Sequence, residues 1–162
     1  MFTLWGDERT RAFMEDMKKN NVGISTSNGE STDFVASCQY EFSLVDSDDA
    51  VSRIRQGKNI EMVYPDQGEN DIGCLIVPNA VVLINGARNP DNARKLIDYL
   101  LSKETEGKLA FADCAQIPLH PGVETPAEVK PIEEIKIMNI DYGQVAKKTE
   151  EIQPYLKQWV GY

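Results

Sequence analysis

Apolar positions along the chain recur at two spacings, and the two alternate. From Asp7 to Asn20, Ala12, Phe13 and Met17 fall on one side of a helix. Asp7 and Glu8 sit in its first turn, Lys18 and Lys19 in its last, as the helix dipole favours. "NNVGIST" predicts a turn and a short strand, Val22 to Ser25. "SNGESTDFVAS" opens a second helix. Ser27 and Glu30 stand in capping-box spacing there, with Ser31 and Thr32 as alternative caps. "QYEFSLV" alternates, with Tyr40, Phe42 and Leu44 on one face, and predicts a strand. "DSDDAVSRIRQG" predicts a helix capped by Asp46 or Ser47. Val51 and Ile54 face inward, and Gly57 stops it. "IEMVY" predicts the next strand, ended by the turn chemistry of "PDQGEND".

This order of helix and strand predicts an α/β layer with parallel strands. The pattern then changes. "GCLIVPNAVVLING" holds two apolar runs, Cys74 to Val77 and Ala80 to Ile84, split by Pro78 and Asn79. A proline inside such a run means a bend or an edge. "NPDNARKLIDYLLS" is the clearest helix, with Asn89 as cap and Pro90 in the first turn. Its apolar residues Ala93, Leu96, Ile97, Leu100 and Leu101 keep one face. Ser102 caps a further helix. "QIPLHPGVETPAEVKP" is proline-rich and irregular. "NIDYGQVAKKTEEIQPYLKQWV", residues 139–160, predicts a helix, with a break near Pro154.

Composition narrows the function classes. With 162 residues the chain can build one core or two small lobes. Its 41% apolar and 27% charged residues are those of an ordinary globular protein. A net charge of -9 argues against a nucleic-acid partner, because phosphate binding needs a basic face. No apolar run reaches the roughly 18 residues of a membrane span. "MFTLWGDERTR" lacks the basic and apolar regions of a secretory signal, so a chain beginning here is expected to stay in the cytoplasm. The three cysteines, Cys38, Cys74 and Cys114, are widely spaced and predict neither zinc nor redox chemistry. With one histidine, His120, a His-based metal site or a catalytic triad is disfavoured. The chain is read as a non-enzyme.

The candidate chemistry lies in "LVDSDDAV". Asp46, Ser47, Asp48 and Asp49 stand where a strand is expected to end and a helix to begin. Ser27 and Asn28 stand at a second such junction. In open α/β sheets ligands bind at these places. Plain helix capping accounts for the same residue types, and both readings stand at this level. A helix start filled with its own carboxylates repels a bare anion. It suits a cation, an amine or a metal-bridged anion. Tyr64, in "VYPDQG", is a further candidate, as a hinge or cleft-wall contact.

"LVDSDDAV", "VYPDQG", "GCLIVPNAVVLINGARNPDNARKLIDYLLSKETEGKLAFA" and "QIPLHPGV", in this order, resemble the C-terminal half of a bacterial extracellular solute-binding protein. The similarity is to the class II periplasmic group that includes ferric-iron, thiamine and phosphonate binders. The resemblance implies an α/β fold of the type II periplasmic-binding-protein kind, truncated, with parts of both lobes. Residues 1–64 would be part of the C-terminal lobe and 65–79 the hinge crossover. Residues 80–125 would be part of the N-terminal lobe and 126–162 a C-terminal helical region. It implies delivery of a small-molecule or metal-ion solute to the permease of an ABC importer, in the periplasm or outside the cell, without catalysis. Asn28, Asp46, Asp48 and Asp49 fall on positions that the resemblance marks, and with Ser27, Ser47 and Tyr64 from the local reading they are the expected ligand contacts.

Two departures from the family pattern stand out. Ferric-binding relatives carry adjacent tyrosines where this chain has Asp48 and Asp49, so phenolate ligation of iron is not implied. The carboxylates remain possible metal ligands as hard oxygen donors; no other cofactor is implied. Asn28 and Asp46 match positions that contact the accompanying anion in iron binders. The family's front half has no counterpart here, which reads as a truncated form. Half a sheet would expose apolar faces and strand edges, so a homo-oligomer, with elements exchanged between copies, is expected. The rival expectation is a self-associating structural or regulatory α/β module that no longer binds solute.

Overall fold

The computed structural model describes residues 1–161. Its elements are α1 (Phe2–Trp5), α2 (Asp7–Lys19), α3 (Asn28–Ala36), α4 (Ser47–Arg55), α5 (Pro90–Leu100), α6 (Lys103–Ala110), a single 3-10 turn (Ile132–Glu134) and α7 (Tyr142–Val160). No helix among the described residues is long and apolar enough to cross a membrane. The chain divides into two compact units, Met1–Thr26 with Asn139–Tyr162, and Ser27–Met138.

In the first unit α1, α2 and α7 pack together around Met14, Ile152 and Trp159, all buried. The indole Nε1 of Trp159 donates to the carbonyl of Met14 at 3.2 Å, so the one polar atom of the ring is satisfied in the core. The guanidinium of Arg11 lies 3.9 Å from the ring centre of Tyr155, and Phe2 meets that ring edge-on at 6.0 Å. Lys148 bridges Asp7 at 2.7 Å and Glu151 at 3.0 Å. Asp141 caps α7 through bonds from the amides of Gly143 and Gln144. The helix then runs unbroken through Pro154. The expected break does not occur: a proline removes one helix donor, but Ile152 before it and Trp159 after it are both anchored in the core. Gly161 ends the helix in the left-handed region, φ 95°.

In the second unit α3 and α4 lie side by side, clamped by a two-bond pair from Arg53 to Asp33 at 2.8 and 3.2 Å. Beneath α4 is a small core of Val51, Ala115 and Val129, with Met62 and Ile117 against it. Arg55, one turn further on, reaches Glu128 at 2.8 Å and also bonds the carbonyl of Ala112. The turn after Tyr64 is stitched to residues 136–138. Gln67 exchanges two bonds with the backbone of Lys136, and Lys136 Nζ donates to the carbonyls of Gly68 and Glu69. Gly73 lets the two stretches touch. It has φ +88°, and a Cβ there would lie 2.7 Å from the carbonyl carbon of Ile137.

The expected α/β fold with a parallel sheet is overturned. Among the described residues there is no strand, only one isolated parallel bridge between Cys74 and Ile137. The alternation in residues 40–45, 60–64 and 74–84 is real, but alternation describes only side-chain direction. A strand also needs a neighbour for its backbone groups. Beyond the bridge at Cys74 these segments have no sheet partner among the described residues, and several of their apolar side chains face solvent: Phe42 is 81% exposed, Leu44 84% and Val63 75%. The helix starts fared differently, because a cap is local. Ser27 accepts from the amide of Glu30 at 3.1 Å and Ser102 from that of Thr105 at 3.3 Å.

Candidate functional site

Asp46 precedes α4, with the extended backbone that an N-cap requires. A capping aspartate would accept a bond from the first-turn amides of its own helix. Asp46 does not cap in this way. Its Oδ2 accepts instead from Nδ2 of Asn28, at 2.7 Å, so the first residue of α3 is tied to the start of α4. Ser27 is the cap of α3. Gly29 keeps the approach close: a Cβ there would lie 3.1 Å from a guanidinium nitrogen of Arg53 and 3.3 Å from Oδ1 of Asp49.

The result is a cluster of three carboxylates. Asp46, Asp48 and Asp49 each offer an oxygen within 4.8 Å of the others, Asp46 exposed and the other two half-buried. Asp48 is held from a distant part of the chain. Its Oδ2 accepts from Nε2 of Gln116 at 3.2 Å, and Oε1 of Gln116 accepts from Nδ2 of Asn79 at 3.0 Å. Partial burial, and then the neighbouring charge of Asp48, push the Asp49 carboxyl above the ordinary value, against the pull of Arg53. The Arg53 bond holds Asp33 below it. Like charges gathered this closely favour a cation or an ammonium group between them, and carboxylate oxygens suit hard metal ions as well.

The structure thus brings together Ser27, Asn28, Asp46, Asp48 and Asp49. Ser47 is the half-buried first residue of α4. Tyr64 has partners elsewhere: its hydroxyl accepts from the amide of Lys130 at 3.2 Å, the Lys130 ammonium lies 5.6 Å from its ring, and burial raises its pKa. His120 is bound in a loop to Glu106, 2.8 Å from its Nδ1. Gln116, Asn79, Gly29 and Arg53 escaped the sequence reading. Gln116 arrives because Ala115, fully buried on Val51 and Val129, adopts φ 44° just before it. Nothing local in "CAQIP" announces that turn.

The chain belongs to the bacterial extracellular solute-binding protein family, whose model matches residues 5–137. A Salmonella typhimurium protein named "Putative 2-aminoethylphosphonate-binding periplasmic protein" is 24% identical over 148 residues, 91% of this chain and 40% of that protein. Its namesake in Salmonella paratyphi A matches to the same extent. An uncharacterized protein of Haemophilus influenzae is 27% identical over 169 residues, 97% of this chain and 44% of that protein. The chain therefore spans less than half the length of these relatives. No solved structure matches.

Proposed function

We propose that this chain supplies solute-contacting residues of the binding component of an ABC importer, working in the periplasm or outside the cell without catalysis. The solute is a small molecule bearing an amine, of the aminophosphonate kind. The observation that carries this reading is the convergence of Asp46, Asp48 and Asp49 at two adjoining helix starts, with Asp46 turned away from capping duty. The carboxylates receive the ammonium group. Ser27, Asn28 and Ser47 supply neutral donors at the rim, and Tyr64, held by Lys130, stays outside this site. Family membership supports the role in solute binding, and the Salmonella relatives' name supports the phosphonate class. That name points away from iron. A metal ion would be cargo at the same carboxylates.

A thermal-shift series tests the proposal, because a ligand of the native state raises the melting temperature. 2-Aminoethylphosphonate is expected to give a rise that the Asp48→Asn, Asp49→Asn variant loses. Methylphosphonate, which lacks the amine, should do less. A rise with ferric or divalent ions alone would make the cargo a metal. No rise with any of them favours the self-associating module that binds no solute.

A further inference from the structure

One face of α4 meets the segment from Ala112 to Ile117 at three successive points. Arg55 bonds the carbonyl of Ala112, Val51 packs on Ala115, and Asp48 accepts from Gln116. Positions 48, 51 and 55 are spaced by three and four, so they form one row along the helix. That row brings Gln116 to the first turn of α4, beside the carboxylates. Its backbone is anchored too. The Gln116 amide donates to the carbonyl of Leu109 at 3.3 Å, and Ile117 packs against the core. Ala115 is held at φ 44°, a region that a residue with a Cβ occupies at a cost, so its surroundings maintain the turn.

The bonds at its side chain run in one direction. An ionised carboxylate only accepts, so Gln116 turns Nε2 to Asp48 and is left with Oε1 for Nδ2 of Asn79. A neutral amide steadies Asp48 without cancelling its charge, as a lysine or arginine there would. Resting on the amine site at Asp46, Asp48 and Asp49, we propose that Gln116 is a positioning residue of that site, which fixes the Asp48 carboxylate in the orientation that receives the ammonium group. A carboxylate bonded at one oxygen no longer turns freely about its last bond, so less order has to be gained when the ammonium arrives. The benefit falls on the amine end of the solute. Gln116 thereby raises the preference for 2-aminoethylphosphonate over methylphosphonate.

Titration calorimetry of the full chain with 2-aminoethylphosphonate and with methylphosphonate is the test. Gln116→Leu keeps the bulk and removes the amide. It is expected to weaken 2-aminoethylphosphonate binding about tenfold and to leave methylphosphonate within about twofold. Asn79→Ala keeps the amide but frees its far end, and should shift the preference the same way by about threefold. Asn79 is exposed, so this variant decides the matter if Gln116→Leu fails to fold. A role in the fold alone would weaken both solutes together. Equal losses for the two solutes, or unchanged binding in both variants, overturn the proposal and leave the amine site standing. A wild-type chain that binds neither solute overturns the amine site, and the role of Gln116 falls with it. The first failure shows only in the variants, the second already in the wild type.

Discussion

Two helices of this protein carry apolar stripes and meet different fates. α5 has the cleaner stripe, with Ala93, Leu96, Ile97 and Leu100 in helical spacing, yet none of its residues is buried. α7 has a more mixed face and a proline in its interior, yet it buries Ile152 and Trp159. The difference lies in what each helix meets. α7 lies on α1 and bonds α2 through Trp159 and Lys148. α5 touches α6, but its stripe is covered only in part: Ala93 and Ile97 are half-buried, and Leu96 stays 57% exposed. A periodic stripe states what a helix can bury. Whether it is buried depends on a partner elsewhere in the chain.

The contrast can be broken by substitution. Trp159→Ala removes a core ring and its bond to the Met14 carbonyl, at a cost of about 3–5 kcal/mol in denaturant unfolding. A loss below about 1 kcal/mol would remove α7 from the well-packed side of the comparison. Gly73→Ala is next. It forces a left-handed φ on a residue with a Cβ and drives that Cβ into the backbone at Ile137. About 2 kcal/mol is expected, read in the same measurement. Leu96→Ala should change stability by no more than about 0.5 kcal/mol, as exposed positions do. A loss several times larger would mean that α5 is covered in solution, and the contrast with α7 would vanish.

The smallest effect concerns the carboxylates. The Asp49 carboxyl is raised in the folded chain, so folding disfavours its ionised form. That penalty is absent at acid pH, where the group is protonated in both states, and it grows as pH rises through the folded-state value. Asp49→Asn should therefore raise the melting temperature slightly at neutral pH, and the gain should fade towards pH 4. The same substitution should weaken the response to an amine-bearing solute. A gain that persists at acid pH would point to packing in place of charge.

These contrasts explain what could be read from residues alone. The starts of α3, α5 and α6 were legible because each is decided within four residues by a cap or a proline. Gly57 was legible as a stop for the same reason; its φ is +77°. The sheet was misread because strand pairing is decided by distant segments, and alternating side chains in residues 40–45 say nothing about a neighbour. The candidate site divides in the same way. Ser27, Asn28, Asp46, Asp48 and Asp49 could be named because helix starts collect such residues. Gln116 could not, since it reaches Asp48 across 68 positions through a turn at a buried alanine.

The side chain of Gln116 has a consequence of its own. Its amide faces two ways, giving a hydrogen to Asp48 and taking one from Asn79, and Asn79 stands just before the apolar run Ala80 to Ile84. One planar group thus links the carboxylates to that run by two hydrogen bonds. Coupling free energy is reciprocal. If the link helps Asp48 hold an ammonium group, then the ammonium group must steady Asn79 by the same factor. The link is one side chain long, and a double-mutant cycle of Gln116→Leu with Asn79→Ala measures how much free energy passes through it.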